Sequence, residues 1–238
     1  MSKKSTRQAY GEYLAVLAEK NKDIVVLDAD LSGATKTSEF KKVMPERHFN
    51  AGIAECDLMG MSAGLATTGK IPFASTFAIF GAGHAFEIIR NSICYPKLNV
   101  KIALTHAGIS VGEDGGSHQS VEDVALMRAV PNMTVLVPAD ATETQRMMDA
   151  AVAIDGPVYI RLGRLDTNVI FDEDYEFEVG KASALKEGHD LTIMAMGLMV
   201  EKALEAADIL KAEGISARVL NMGSIKPIDR EAIEAAAK

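Results

Sequence analysis

The sequence has few cysteines, no long apolar run and a deficit of positive charge. Its two cysteines, Cys56 and Cys94, have neither the spacing of a metal site nor the density of a disulfide scaffold, so we expect two free buried thiols. No apolar run approaches the ~20 residues of a membrane helix. The basic start, MSKKSTRQAY, is not followed by the apolar core of a signal peptide. We therefore predict a cytoplasmic protein.

The charge balance limits the partners of the chain. With 25 Lys and Arg residues against 33 Asp and Glu residues, the formal net charge is −8. An acidic surface repels polyanions, which disfavours nucleic acid and anionic membranes as partners. A local basic cluster can still bind a phosphorylated substrate.

Seven short runs rich in apolar residues predict β-strands. Several of these runs are almost continuously apolar, which is typical of parallel strands buried on both faces by helices. Because helical patterns alternate with the runs, we predict an α/β fold with a mostly parallel sheet. The predicted strands are residues 24–30, 71–76, 100–105, 133–139, 158–162, 191–196 and 217–222.

Capping pairs indicate where several helices begin. Ser5 with Gln8 predicts the first helix, and Asp140 with Glu143 predicts another after Pro138. Ser120 starts a weaker pattern of the same kind with an acidic residue three positions later. Two more helices are predicted over 198–213 and 228–238.

The alternation of strands and helices is interrupted over residues 165–188, where an acidic segment, FDEDYEFEVG, lacks helical periodicity. We interpret residues 1–165 as a first domain, 166–186 as a linker and 187–238 as a second domain. A second unit with only two clear strands is small for an α/β domain, so we expect that it is truncated.

The segment THAGISVGEDGGSHQSVED, residues 105–123, is the strongest candidate for a site. It follows a buried strand, and ligands of open α/β sheets bind beyond the carboxyl ends of strands. Its glycines allow backbone amides to approach a ligand, and a helix expected at about Ser120 would favour anions. His106, His118 and Asp114 can form hydrogen bonds or move protons near neutral pH.

Five other residues are candidates with simpler explanations. Glu55 fits a carboxylate stabilised at a helix N terminus, and Phe77 with Phe80 fits core packing on one face of a helical turn. The same residues could also hold a flat heterocycle. Arg7 lies in the first turn of a helix, where a cation opposes the dipole, and Arg161 ends a strand; both could neutralise a bound anion or be solvated.

With these segments the sequence resembles the transketolase family. HAGISVGEDGGSHQSVED is similar to the family pattern GEDG-x-[ST]-HQ-x-x-E, AGIAEC to GI-x-E-[HC], and STFAIF to TF-x-x-F. The resemblance implies a thiamine-diphosphate-binding, pyrimidine-domain fold followed by part of an α/β C-terminal domain. It implies transfer of a two-carbon ketol unit from a ketose phosphate to an aldose phosphate, as in the pentose phosphate pathway.

The resemblance also implies residues that bind the cofactor. Glu55 would hydrogen-bond the aminopyrimidine ring and promote its imino tautomer, which makes it a catalytic residue. Phe77 and Phe80 would form the aromatic pocket for that ring. Asp30 would lie near the thiazolium across a subunit interface.

A second group of residues would bind the substrate. Asp114 would read a sugar hydroxyl, and His118 would lie beside the reacting carbons as a catalytic residue. Arg7, His106 and Arg161 would hold the sugar phosphate, with His106 also catalytic. Among positions that depart from the family pattern, a third pocket aromatic falls near Gly83. The phosphate-binding serine falls near Ala34, beside the hydroxyl of Thr35.

The resemblance further implies a partner. The family binds the diphosphate and Mg²⁺ through a Gly-Asp-Gly motif in an N-terminal domain, and no Gly-Asp-Gly occurs in this sequence. We therefore expect no metal ligands here and a separate N-terminal-half transketolase subunit that binds Mg²⁺. Thiamine diphosphate would lie at the interface, this chain would homodimerise within an α₂β₂ assembly, and the isolated chain would be inactive.

Three alternatives remain at this point. The AG of THAG also occurs in deoxyxylulose-phosphate synthases, although GSHQ favours a transketolase. A beta-type subunit of a 2-oxo-acid dehydrogenase is a second alternative. A non-catalytic scaffold is a third, which the joint presence of Glu55, Asp114 and His118 disfavours.

Overall fold

The computed structural model of the protein describes residues 2–238. The strands in this range are β1 Lys3–Ser5, β2 Ile24–Asp28, β3 His48–Asn50, β4 Ile71–Ser75, β5 Lys101–Leu104, β6 Thr134–Leu136, β7 Val158–Arg161, β8 Asp166–Asn168, β9 Ser183–Lys186, β10 Leu191–Ala195, β11 Ala217–Asn221 and β12 Ser224–Lys226. The α-helices are α1 Thr6–Lys20, α2 Ser32–Thr35, α3 Thr37–Val43, α4 Glu55–Thr67, α5 Phe86–Ile88, α6 Asp123–Ala129, α7 Ala141–Ala153, α8 Met199–Ala212 and α9 Arg230–Ala236. Two π-helical turns, Ile79–His84 and Ile89–Cys94, flank α5.

A seven-stranded sheet has the order β12-β6-β7-β5-β4-β2-β3, and all of its neighbouring pairs are parallel except β12 with β6. All seven predicted strands are present, which confirms the α/β prediction. Five further strands, β1, β3, β8, β9 and β12, were not predicted. They are three or four residues long and mostly polar or half-exposed, so pairing with distant strands rather than a local pattern defines them.

The large sheet is buried on both faces, because alternate side chains of β2 pack into two different apolar clusters. Val25 and Leu27 belong to one apolar cluster, together with residues of α4 and the π-helical turns. Ile24 and Val26 belong to the other, together with residues of α1 and α7. Full burial of each such side chain contributes about 1.5–3 kcal/mol. This core fixes the carboxyl ends of the strands, where the candidate site lies.

The capping predictions have different outcomes. The Ser5 hydroxyl accepts a hydrogen bond from the Gln8 amide, and the Asp140 carboxylate accepts one from the Glu143 amide, which confirms both helix starts. The prediction for Ser120 is wrong, because α6 begins three residues later, at Asp123. The Ser120 carbonyl instead accepts a hydrogen bond from the Gly108 amide, so this segment pairs with the loop after β5.

The C-terminal segment forms a smaller sheet of order β10-β11-β9, in which β10 is parallel and β9 antiparallel to β11. Helix α8 packs against it, and the segment then returns to the large sheet through β12. The region predicted as a linker contains β8, which pairs antiparallel with β1, and it ends with β9. Within residues 2–238, no helix has both the length and the apolar character needed to cross a membrane.

Candidate active site

Four aromatic rings meet beyond the carboxyl ends of β4 and β5. The rings of Phe77 and Phe80 are nearly parallel, with centroids 5.8 Å apart and an interplanar angle of 12°. The His106 ring stacks on the Phe77 ring, and their centroids are 3.8 Å apart. His118 meets the phenylalanines edge-on, 5.3 Å from Phe80 and 6.1 Å from Phe77. The structure therefore brings together four residues that the sequence analysis selected from two separate segments.

Glu55 is the first residue of α4 and is 9% exposed. Helix α4 lies against the π-helical turn that carries Phe80, since Cys56 Sγ is 3.9 Å from His84 Nε2. Within residues 2–238, no group donates a hydrogen bond to the Glu55 carboxylate, and neither of its oxygens is a fully buried atom without a partner, so a ligand can still reach them. An apolar aromatic surface and a carboxylate without a donor fit a flat ring that carries N–H groups.

The His106 ring is neutral and has a defined tautomer. Its Nε2 lies 3.3 Å from Arg7 Nη1, and because a guanidinium can only donate, Nε2 is the acceptor. The Nδ1–H then donates to Thr105 Oγ1 at 2.9 Å. Burial, reinforced by the charge of Arg7, lowers the pKa of His106 to about 4. The backbone of His106 has φ +57°, a left-handed conformation that is strained for histidine and is frequent at functional sites.

Arg7 provides positive charge to the same cluster. Its Nη1 donates to the Ala34 carbonyl at 3.0 Å, while its buried Nε has no hydrogen-bond partner within residues 2–238. Burial, followed by the charge of Arg164, lowers the pKa of Arg7, and the charges of Asp166 and Asp114 oppose this shift. Asp114 itself is exposed. A buried donor without a partner, in a cluster of cations, fits an anionic ligand.

Arg161 and Arg164 have different surroundings. Arg161 donates from Nε to Asp123 Oδ2 at 2.7 Å, and the Tyr159 hydroxyl donates to the same oxygen at 2.6 Å. Its charge is therefore compensated within the chain. Arg164, which the sequence analysis did not select, lies close enough to Arg7 and His106 for its charge to lower the pKa of both. The geometry favours Arg164 over Arg161 as the second arginine of an anion site.

The loop after β2 carries Asp30 and supports Arg7. Asp30 is exposed at φ +58°, and its amide donates to Asn50 Oδ1 at 3.1 Å. The hydroxyl of Thr35 is buried and donates to the Leu31 carbonyl at 2.9 Å, so it does not replace a phosphate-binding serine at position 34.

A buried network fixes this loop from below. Asp28 Oδ2 accepts hydrogen bonds from Ser32 Oγ at 2.6 Å, from Thr37 Oγ1 at 2.7 Å and from His48 Nε2 at 2.7 Å. Burial opposes ionisation, but these three donors outweigh it and hold the pKa of Asp28 below its usual value. This network was not predicted from the sequence, because its four members lie on four different elements.

The π-helical turn contains Gly83, where the family has a third aromatic residue. A Cβ at this position would lie 3.3 Å from Ile79 Cδ1, so a larger side chain would press on Ile79 unless that residue moved. The aromatic surface is therefore formed here by Phe77, Phe80 and the two histidine rings.

Two family models cover almost the whole chain: "Transketolase, pyrimidine binding domain" over residues 2–169 and "Transketolase, C-terminal domain" over residues 180–238. A putative transketolase C-terminal section of Methanocaldococcus jannaschii is 55% identical over 97% of this chain and 74% of that protein. A 6-deoxy-6-sulfo-D-fructose transketolase subunit of Clostridium sp. is 44% identical over 95% of this chain and 70% of that protein.

A solved structure described as a split-gene transketolase in an inactive β4 tetramer is also similar. It is 61% identical, with a TM-score of 0.90 over 98% of this chain and 76% of that chain. The two family models, the identity to these relatives and the shared fold show that the chain belongs to the transketolase family and comprises its pyrimidine-binding and C-terminal domains.

Proposed function

We propose that the chain is one subunit of a two-chain transketolase that transfers a two-carbon ketol unit from a ketose phosphate to an aldose phosphate. The observation that carries the proposal is the aromatic and histidine cluster beside the paired cations Arg7 and Arg164. The cluster provides a flat apolar surface, and the cations provide an anion site at the same end of the sheet.

The relatives support a divided enzyme. One is named as a C-terminal section, one as a subunit and one as a split-gene protein whose tetramer of β chains is inactive. Transketolases depend on thiamine diphosphate. We propose that a separate N-terminal-half subunit binds the diphosphate and Mg²⁺, that the cofactor lies between the two chains, and that an α₂β₂ assembly is the active form.

When bound, thiamine diphosphate would supply the nucleophilic carbon and the electron sink for cleavage next to a carbonyl. Glu55 would accept a hydrogen bond from the aminopyrimidine, for which its carboxylate has no competing donor among residues 2–238. Phe77 and Phe80 would form an apolar surface against the ring and exclude water from it. Exposed Asp30 would contact the cofactor from the loop after β2.

On the substrate side, Arg7 and Arg164 would bind the sugar phosphate, because guanidinium groups donate to phosphate oxygens in a fixed geometry. His106 would orient Arg7 through the Nε2 contact. With a pKa of about 4 its ring is neutral at neutral pH and lacks the second, acidic proton of an imidazolium. His118, at the edge of the phenylalanine pair, would exchange protons with the substrate, and Asp114 would read a sugar hydroxyl. Arg161 would support the site through Asp123.

The decisive experiment measures ketol transfer from xylulose 5-phosphate to ribose 5-phosphate with thiamine diphosphate and Mg²⁺. The chain is assayed alone and with the Gly-Asp-Gly-containing subunit from the same source. Glu55→Gln should lower kcat at least about 100-fold, the usual effect of losing a group that assists proton transfer. Asp57→Asn is the matched control, because Asp57 is an exposed acid in the same first turn of α4.

Activity only in the mixture, lost in Glu55→Gln and kept in Asp57→Asn, would support the proposal. Full activity of the chain alone would refute the need for a second subunit. Turnover of pyruvate with glyceraldehyde 3-phosphate, without ketol transfer, would assign the chain to a synthase. An unaffected Glu55→Gln variant, with unchanged thermal unfolding, would contradict the role of this carboxylate.

A further inference from the structure

Three consecutive residues of the glycine-rich loop hold the side chain of Arg164. Its Nη1 donates to the Val111 carbonyl, and its Nη2 donates to Glu113 Oε1 at 3.0 Å. Between them Gly112 has φ +87°, and a Cβ at this position would overlap Arg164 Nη1. The positive φ favours glycine at this position, and the absence of a Cβ leaves room for the guanidinium. The loop determines where the charge of Arg164 lies.

Glu113 brings a negative charge to an anion site. Its side chain is 87% exposed, whereas that of Arg164 is 26% exposed. Arg7 and Arg164 are the cations of the cluster, and Asp114 and Glu113 are anions at the same end of the sheet. Before any ligand binds, Arg164 is thus already paired with Glu113, and the charges of Asp166 and Asp114 act on Arg7. A phosphate that approaches Arg164 meets a carboxylate already bound to it.

Glu113 is not needed to hold Arg164 in place. The Val111 carbonyl and the backbone of Gly112 already confine the guanidinium, and an ion pair with an exposed carboxylate adds little to this. The charge of Glu113 is a different matter, because it acts on a phosphate dianion whether or not the two groups touch. A substitution that keeps the shape of Glu113 but removes its charge therefore separates its contact with Arg164 from its electrostatic effect on a phosphate.

We infer that Glu113 competes with the substrate phosphate for Arg164 and thereby limits the affinity of the site for phosphorylated sugars. The inference rests on the proposed function, because it takes Arg7 and Arg164 as the site of the substrate phosphate. Its chemical consequence is selectivity: Glu113 weakens binding of sugars with a dianionic end and leaves uncharged sugars unaffected. Weaker phosphate binding also favours release of the phosphorylated product.

Glu113→Gln tests the inference, since the amide keeps an oxygen that accepts from Arg164 and loses the charge. Binding of inorganic phosphate to the full chain is measured at low salt by ³¹P line broadening. We expect Glu113→Gln to bind phosphate about fivefold more tightly than the wild type, the factor expected in water for a unit charge about 8 Å from a phosphate dianion. Glu234→Gln is the matched control, because Glu234 is an exposed glutamate in α9 and its loss changes the net charge equally.

In the assembled enzyme, the same variant should lower KM for ribose 5-phosphate about fivefold and leave KM for ribose unchanged. Equal or weaker phosphate binding by Glu113→Gln, or an equal gain in Glu234→Gln, would overturn the inference. The absence of phosphate binding by both wild type and Glu113→Gln would overturn it as well. Failure of the proposed function would show separately, as missing ketol transfer in the mixture, while the phosphate titration of the chain still decides the role of Glu113.

Discussion

A buried carboxylate, Glu143, connects the pyrimidine-binding domain to the C-terminal segment. Its Oε2 accepts from the Ala139 amide at 2.7 Å, and its Oε1 accepts from Tyr175 Oη at 3.0 Å and from Asn221 Nδ2 at 2.7 Å. Gly223 packs directly against it, since a Cβ there would overlap Oε1. Despite the three donors, burial raises the pKa of Glu143 to about 7.

This pKa makes stability depend on pH with a defined sign. The folded protein holds the Glu143 proton more tightly than the unfolded chain, whose glutamate has a pKa of 4.5. The stabilisation is therefore complete below pH 4.5 and is lost as pH rises towards 7. The difference in pKa corresponds to a loss of roughly 3 kcal/mol across this window. His106 contributes in the opposite direction, because its pKa is lowered on folding, so the wild type alone does not isolate the effect.

The assay compares urea unfolding of the wild type and Glu143→Gln from pH 4.5 to 8. The amide does not titrate, so the stability of the wild type relative to the variant should fall by roughly 3 kcal/mol over this range. At pH 8 the variant should retain the contacts to Asn221 and Tyr175 through its remaining oxygen. If the free energies of unfolding of the two proteins changed in parallel with pH, the raised pKa of Glu143 would be refuted. If the wild type gained stability relative to the variant as pH rises, the direction of the pKa shift would be refuted.

Two further predictions concern the site and its support. The His106 ring should be mostly neutral above pH 5 in an NMR titration, because burial and Arg7 lower its pKa to about 4. His106→Gln identifies the signals, and a midpoint above 6 would contradict the lowered pKa. Asp28→Asn should lower the free energy of unfolding by about 2 kcal/mol, because an amide cannot accept from all three donors at one oxygen as the carboxylate does. Asp172→Asn, at an exposed position, is the control, and its free energy of unfolding should stay within about 0.5 kcal/mol of the wild type. Similar losses in both variants would show that the three hydrogen bonds to Asp28 do not stabilise the fold more than an exposed acid does.

The parts of the fold that the sequence predicts are those with a local cause. Strands such as Ile24–Asp28 are continuous apolar runs because the sheet is covered on both faces. The caps at Ser5 and Asp140 need only a side-chain oxygen and an amide three residues away. The stack of Phe77 on His106 has no local cause, because the two residues meet only when β4 and β5 end side by side.

The errors share a non-local cause. The pattern at Ser120 satisfies the local requirement for a cap, but its carbonyl is bound to the Gly108 amide across the glycine-rich loop. The strand β3 is the short segment His48–Asn50, which pairs with β2 while His48 forms a hydrogen bond with the carboxylate of Asp28. A single sequence contains the residues of such contacts but not the register that brings them together.

The arginines at and after the end of β7 show which part of such a site follows from the geometry of a strand. Side chains alternate along a strand, so Tyr159 and Arg161 point to the same face, and both bind Asp123, an acid 38 positions away from Arg161. Arg164 lies beyond the strand end, after Gly163, whose amide donates to Thr6 Oγ1 at 2.8 Å at the start of α1. That contact turns the chain towards Arg7 and away from the face occupied by Arg161. The ending of the strand, rather than the type of residue, therefore decides that Arg161 pairs with the buried Asp123 and Arg164 with the exposed Glu113.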